Sequence, residues 1–187
     1  MAILAAEPDL FPEALFEEET YESSNFLGRR WWAIYTKAKQ EKAVARQLYR
    51  YEVPFYLPLV PKDNLIRGRR VRSYLPVFPG YLFLYGNDDE RVRSLTTNRI
   101  SSILEVKDEA SFVRDLRNVR HLISLNVPMT IESKIMPGER VRIKSGPMRD
   151  LEGIAIQRRG RSRLLVSVNF LQQGASVEIE DFQLEAI

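Results

Sequence analysis

The stretch FPGYLFLY, residues 78–85, carries the strongest structural signal in this chain of 187 residues. Gly80 suits a tight backbone turn or the close approach of a second chain, because it has no side chain. The five residues after it are aromatic or aliphatic, so we predict a central strand that is covered on both faces. Aromatic rings beside such a turn can form an apolar depression, and an exposed depression usually marks a protein partner.

Upstream of this stretch, the pattern predicts a strand followed by a helix. Residues 31–35 (WWAIY) are rich in aromatic and branched side chains, which favours a strand. Thr36 can then cap a helix over about residues 37–51. On a helical wheel its basic and apolar side chains lie on opposite sides: Lys39, Lys42, Arg46 and Arg50 against Val44, Ala45, Leu48 and Tyr51. We therefore expect this helix to pack with one side and to present positive charge with the other.

Between this helix and residue 78, the pattern indicates an edge segment and a hairpin. Pro54 and Pro58 lack the amide hydrogen that a sheet needs, so they place residues 53–60 at a sheet edge. Residues 64–72 are typical of a hairpin with Gly68 near its tip. Four arginines surround that tip: Arg67, Arg69, Arg70 and Arg72. After the central strand we predict helices near residues 88–96 and 108–125, and a strand at 102–106.

The last third of the chain has a different pattern. Residues 126–137 contain two prolines and no clear period, which is typical of a linker. From Gly138 onward short apolar stretches alternate with turns, and strands of this length and spacing predict a small barrel. We expect its interior to contain Val141, Ile143, Leu151 and Ile154.

Charge is distributed unevenly along the chain. Residues 1–28 contain seven acidic side chains, no lysine or arginine, and apolar residues at no sustained period. This composition predicts a disordered tail; the alternative is a short amphipathic segment that docks on a partner or on the protein's own basic face. Residues 29–187 contain 28 basic against 18 acidic side chains, a net charge of +10. The excess favours a nucleic-acid partner, and a surface tuned for solubility is the other explanation.

The composition argues against catalysis and against metal or membrane binding. The chain has no cysteine and one histidine, His121, which excludes disulfides, thiolate zinc sites and cysteine nucleophiles. It shows neither a glycine-rich phosphate loop nor a Ser-His-Asp arrangement, so we expect no enzyme and no cofactor. No run reaches the roughly 20 apolar residues that span a bilayer. Since the N-terminus also lacks a secretory signal pattern, we expect a cytoplasmic monomer.

Three segments, in this order, resemble the NusG/RfaH family of transcription elongation and antitermination factors. WWAIYTK at residues 31–37, followed by QEK at 40–42, is similar to the opening strand and helix of the NusG N-terminal domain. FPGYLFL at 78–84 is similar to the turn and central strand of that domain. PGERVRI at 137–143, with GP at 146–147 and LEG at 151–153, resembles the KOW motif of the family's C-terminal barrel. The resemblance extends over residues 30–187.

The resemblance implies an α+β fold with two domains. An N-terminal α/β sandwich, in which helices flank an antiparallel sheet, is linked to a small C-terminal SH3-like β-barrel, the KOW domain. Accordingly, we divide the chain into an acidic tail (1–28), a NusG N-terminal domain (29–125), a linker (126–137) and the KOW barrel (138–187). Because residues 164–168 are β-prone, we expect a stable barrel and not one that refolds into helices, as the barrel of RfaH does.

The resemblance also implies partners for the first domain. The clamp helices of the largest RNA polymerase subunit are expected at Trp32, Tyr35, Phe78, Pro79, Gly80 and Tyr81. The non-template DNA strand is expected at Lys37, Lys39, Lys42 and Arg46. The hairpin arginines are expected near DNA or an acidic polymerase surface. Core packing of the aromatic rings and simple solvation of the lysines are the alternatives, and for Phe83 we favour the core.

In the barrel, Phe170 and Leu171 lie in the loop that chooses a second partner in this family, either the Rho termination factor or a ribosomal protein. The family often has Phe-Gly-Arg in this loop, whereas this chain has NFLQQG at 169–174. The altered loop weakens a Rho assignment and indicates a specialised paralogue; a core role for Phe170 is the alternative. We expect a factor that suppresses pausing or termination. The rival hypothesis is a general RNA-binding or ribosome-associated KOW protein.

Overall fold

The computed structural model describes residues 7–17, 28–66, 68–132, 138–179 and 184–187. Its contacts divide the chain into two compact units, Met1–Glu109 and Ala110–Ile187. The division falls at the start of the helix near 108–125, which we assigned to the N-terminal domain. Phe112 of that helix contacts Phe170 downstream, in agreement with its place in the second unit. The domain bounds inferred from the sequence stay a prediction.

The first unit contains both strands and helices. Its described strands are β1 (Leu10–Phe11), β2 (Arg30–Thr36), β3 (Phe55–Tyr56), β4 (Leu59–Ile66), β5 (Arg69–Pro76), β6 (Tyr81–Gly86) and β7 (Ile100–Glu105). Its described helices are α1 (Glu41–Arg50) and α2 (Asp88–Leu95). Five of the strands form one antiparallel sheet in the order β1-β3-β6-β2-β7, and β4 and β5 form a separate hairpin.

Strand β6 is the centre of the five-stranded sheet. It lies between β3 and β2, and its residues 82–86 are all buried. Since successive residues of a strand point to opposite faces, both faces of this strand are covered. The prediction of a central, doubly covered strand is therefore confirmed, and its lack of charged side chains follows from that cover.

Helix α1 packs its apolar side on the sheet, as predicted. A buried cluster joins the helix to the two central strands and includes Val44, Ala45, Leu48, Ile34, Leu82 and Leu84. The helix begins at Glu41, however, and not at residue 37. Lys39 has a left-handed backbone (φ 58°), which an α-helix does not contain, and Thr36 belongs to β2. The predicted helix start is therefore wrong by about one turn.

Residues 7–17, called here the N-terminal segment, pack on the first unit. Strand β1 extends the sheet, with Leu10 and Phe11 in register with residues of β3. Leu15 is fully buried and Phe16 is 6% exposed. Disorder of the whole stretch 1–28 is thus wrong for these residues, because their apolar side chains are buried in the domain. Their packing on the protein itself matches the alternative of a docking segment; residues 1–6 and 18–27 of the acidic stretch lie outside the described residues.

The second unit is rich in β-structure. Helix α3 (Glu109–Ser124) starts at the boundary and is followed by β8 (Met129–Glu132), β9 (Glu139–Ile143), β10 (Glu152–Arg158), β11 (Arg161–Val168), β12 (Gln173–Glu178) and β13 (Leu184–Ala186). These strands form one antiparallel sheet in the order β13-β9-β10-β11-β12-β8. Val141, Ile143 and Leu151 are buried as predicted, whereas Ile154 is half-buried. The mixed α/β organisation and the KOW-like sheet confirm the predicted fold class.

Strand β8 lies within the range that the sequence analysis assigned to a linker. The range 126–137 includes Met129–Glu132, which pair with β12 as a sixth strand. Arg163 of β11 donates to Thr130 Oγ1 at 3.0 Å, and Ser176 of β12 donates to Glu132 at 2.7 Å. Met129 and Ile131 alternate with these polar residues, but a run of four residues after Pro128 is too short for its period to identify a strand.

Neither a membrane-spanning helix nor a metal-binding cluster is found among the described residues. None of their helices is both long and apolar enough to cross a membrane. Within the same ranges there is no group of three or more metal-ligating side chains that could hold an ion. The single histidine, His121, is half-buried on α3.

Candidate functional site

The four residues FPGY form a β-turn that leads into the central strand. The Tyr81 amide donates to the Phe78 carbonyl across the turn at 2.9 Å. Pro79 occupies the second position, where its fixed φ is favourable, and Gly80 occupies the third with φ 87°. Residues that carry a side chain rarely adopt this backbone, which explains the glycine.

Two further hydrogen bonds from backbone amides hold the turn against its neighbours. The Thr36 amide donates to the Gly80 carbonyl at 2.8 Å, and the Gly80 amide donates to Glu41 Oε1 at 2.7 Å. Glu41 is only 7% exposed, so β2 and α1 together fix the turn. Sequence reasoning missed Glu41. The available signal was its spacing from Val44 and Leu48, which puts a carboxylate on the apolar face of the helix.

An exposed pair of aromatic rings lies beside the turn. Tyr35 and Tyr81 are register partners in β2 and β6, and their ring centroids are 4.9 Å apart. Tyr35 is 43% exposed, Tyr81 is half-buried and Pro79 is exposed. We call these three residues the tyrosine surface. The Tyr35 ring lies so close to the turn that a Cβ at Gly80 would be 2.8 Å from its Cε2 atom.

Two residues predicted for the polymerase contact are buried instead. Phe78 is fully buried and its ring packs edge-on against Phe83, at 5.7 Å between centroids. Trp32 is 7% exposed, and its indole nitrogen donates to the Gly86 carbonyl at 3.0 Å. The expectation of an open Phe78 is wrong because the turn directs this ring into the core. The core position favoured for Phe83 is confirmed, since that ring is fully buried.

The predicted basic stripe is divided between α1 and the turn before it. Lys42 and Arg46 lie one turn apart on the helix, where Arg46 is exposed and Lys42 is half-buried. Lys37 and Lys39 are exposed but precede the helix, and the Lys37 ammonium donates to the Asn98 carbonyl at 2.7 Å. The structure thus places these cations at the start and along one side of α1, not on a single helical stripe.

The hairpin of β4 and β5 presents a second group of cations. Arg69 and Arg70 are exposed and, as successive strand residues, point to opposite faces. Arg72 donates to Asp63 at 2.9 Å. This hydrogen bond lowers the pKa of the Asp63 carboxyl and raises that of Arg72, so Arg72 is already paired. Arg67 lies outside the described residues.

The predicted second-partner loop of the second unit is partly open. Residues Asn169–Leu171 form a short 3₁₀ turn, in which Phe170 is 40% exposed and Leu171 is half-buried. The Phe170 ring packs edge-on against Phe112 at 5.9 Å, and the Asn169 amide donates to Asp115 at 2.9 Å. One side of Phe170 is therefore packed and the other is open to solvent.

Comparison with known proteins identifies relatives along most of the chain. The family model described as "Transcription termination factor nusG" matches residues 29–138. A protein named "Transcription termination/antitermination protein NusG" from Pseudomonas aeruginosa is 26% identical over 180 residues, which cover 86% of this chain and 100% of that protein. The protein of the same name from Haemophilus influenzae is 25% identical over 186 residues, covering 89% and 98%. A solved structure, "Crystal Structure of MjSpt4:Spt5 complex conformation B", covers 84% of this chain and 96% of its own at 12% identity, with a TM-score of 0.28.

The family match covers more than half of the chain and contains the elements of the candidate site. It includes β2 with Tyr35, the basic helix α1 and the FPGY turn. The relatives are matched along nearly their whole length. On these grounds the chain belongs to the NusG family.

Proposed function

We propose that this protein is a transcription elongation and antitermination factor that binds RNA polymerase through the tyrosine surface. Its relatives are named for transcription termination and antitermination. The observation that supports this surface most directly is Tyr35, an aromatic ring 43% exposed beside a turn held by three hydrogen bonds from backbone amides. A rigid exposed ring offers a large contact area at a low cost in conformational entropy, as binding hot spots require.

The proposed partner is the coiled coil of clamp helices in the largest polymerase subunit. A helix pair presents apolar side chains along a ridge, and Tyr35, Pro79 and Tyr81 offer an apolar surface at one end of the sheet. Docking there would place the first unit across the polymerase cleft above the DNA. The protein would act by holding the clamp closed, which suppresses pausing without any catalytic step.

Nucleic acid is the second proposed partner of the first unit. Lys37, Lys39, Lys42 and Arg46 line the start and one side of α1 and suit the phosphates of the non-template strand. The exposed hairpin residues Arg69 and Arg70 suit DNA or an acidic polymerase surface.

In the second unit, the open side of Phe170 and the adjacent Leu171 suit a second factor, Rho or a ribosomal protein. That factor would be recruited at the high effective concentration that a tether provides.

Tyr35→Ala is expected to weaken polymerase binding about three- to tenfold, because the change removes an exposed anchoring ring without opening the core. The measurements are co-purification with core RNA polymerase and pausing in a run-off transcription assay. Val92→Ala is the control, because Val92 is an exposed apolar side chain (52%) on α2 and belongs to none of the proposed contact surfaces. If both variants suppress pausing as well as wild type does, the tyrosine surface is not the polymerase site.

The rival function, a general RNA-binding or ribosome-associated protein, predicts a different response to salt. An apolar polymerase contact should persist when salt is raised from about 50 to 200 mM, whereas a complex held by phosphate contacts loses affinity by a factor on the order of ten or more. The measurement compares retention of polymerase with the affinity for a single-stranded oligonucleotide over this range. A protein that binds RNA without polymerase and releases polymerase at moderate salt would favour the rival.

A further inference from the structure

We infer that the N-terminal segment is a built-in competitor that limits access of nucleic acid to Arg46. The inference rests on the proposed contact between α1 and DNA, and it adds a regulatory element to that site. Its basis is Glu7, whose carboxylate occupies the position on the Arg46 guanidinium that a phosphate would take. Both oxygens of Glu7 accept from Arg46 Nη1, at 2.9 and 3.0 Å.

Apolar contacts hold the N-terminal segment in one place. The Phe16 ring stacks on Trp31 at 5.8 Å and meets Tyr56 edge-on at 5.2 Å. Leu15 is fully buried, and the Leu57 amide donates to the backbone carbonyl just before β1. Burial of these side chains offsets the entropy lost on ordering the segment. Glu7 is therefore presented to α1 by an ordered chain and not by a free tail.

The segment touches α1 at two neighbouring positions. The Phe11 ring meets Tyr49 edge-on at 5.3 Å, while Glu7 pairs with Arg46. Arg46 and Tyr49 are three residues apart and so lie side by side on the helix surface. The N-terminal segment consequently runs along the side of α1 that carries a proposed phosphate contact.

The contact between Glu7 and Arg46 affects nucleic-acid binding because of the charge of Glu7. A carboxylate and a phosphodiester each carry one negative charge and accept hydrogen bonds from a guanidinium, so they compete for it. The Arg46 side chain is 50% exposed, which lets an incoming strand reach it, but the strand must displace Glu7. The described segment also contains Asp9, Glu13 and Glu17 and no basic residue, which makes the local potential less positive. Affinity for free nucleic acid is lowered as a result, while DNA held close by a bound polymerase can still compete.

The test measures the affinity of the full chain for a fluorescein-labelled single-stranded DNA at low salt, by anisotropy. Glu7→Gln is expected to tighten binding about two- to fivefold, the contribution that an exposed ion pair can make. Glu13→Gln is the matched control, since it removes one negative charge from an exposed position of the same segment. Arg46→Ala is expected to weaken binding, and in that background Glu7→Gln should have no further effect.

Each outcome has a separate meaning. If Arg46→Ala weakens binding but Glu7→Gln acts no more strongly than Glu13→Gln, the competitor role is overturned and the proposed DNA contact stands. If Arg46→Ala leaves the affinity unchanged, the proposed DNA contact at this residue fails, and the competitor role fails with it. A Glu7→Gln gain that persists in the Arg46→Ala background would also overturn the inference, because it would not act through Arg46.

Discussion

Gly80→Ala is expected to lower the affinity for RNA polymerase at least about tenfold, a larger loss than truncation of Tyr35 itself. The alanine Cβ would be 2.8 Å from Tyr35 Cε2, so the ring must move. The turn cannot easily yield, because hydrogen bonds from Thr36 and to Glu41 fix both sides of Gly80. The backbone at φ 87° also disfavours alanine, which adds about 1–3 kcal/mol of strain. One substitution therefore disturbs the turn and the tyrosine surface together.

The experiment must distinguish the effect of backbone strain at position 80 from the effect of moving the Tyr35 ring. Gly28→Ala provides the control: Gly28 also has a positive φ (63°), but a Cβ there would have nothing within 4 Å. Binding to core RNA polymerase and the melting temperature, followed through Trp31 and Trp32, are measured for both variants. We expect both to lose some thermal stability and only Gly80→Ala to lose polymerase affinity. Equal polymerase affinity in the two variants would show that the position of Tyr35 does not determine binding.

Sequence patterns predicted those parts of the fold that depend only on interactions between neighbouring residues in the chain. The unbroken apolar run of β6 predicts a central strand, and the FPGY motif predicts its turn, because each depends on its own residues. The start of α1 was wrong because Lys39 adopts a left-handed backbone that no residue pattern required. The order of the N-terminal segment was not predictable either. It depends on where Phe16 finds Trp31, a contact that only the folded domain creates.

In the candidate site, the sequence predicted the types of the residues but not the positions of their side chains. Aromatic residues near the turn were predictable, but the side of the sheet on which each ring lies was not. Tyr35 is exposed while Phe78 is fully buried, although both were assigned to one depression. Their difference comes from the turn geometry, which directs Phe78 toward Phe83 and leaves Tyr35 beside Gly80. Residue identity predicts that a surface is aromatic, and only the packing determines which rings form it.

Arg163→Ala is expected to destabilise the second unit by about 2–4 kcal/mol, because it leaves buried polar groups without partners. Arg163 is 8% exposed and extends from β11 across β12 to β8. Its guanidinium donates to the Ser176 hydroxyl at 2.9 Å, to the Ser176 carbonyl at 2.7 Å and to Thr130 at 3.0 Å. The packing of its aliphatic stem is lost as well. Strand β8, which is joined to the sheet through Thr130 and Glu132, should lose its attachment first.

Arg161→Ala is the matched control, because Arg161 lies on the same strand and its side chain is 68% exposed. Arg161 donates to Glu178 at 2.7 Å, and Arg163 pairs with the same carboxylate at 3.3 Å. An exposed pair of this kind contributes at most about 1 kcal/mol. All tyrosines and tryptophans precede residue 86, so hydrogen exchange of the β11 and β12 amides is the suitable measurement of unfolding free energy. Equal losses in the two variants would mean that burial of Arg163 adds nothing. A large loss confined to Arg163→Ala would establish that a buried cation, more than apolar packing, joins residues 129–132 to this domain.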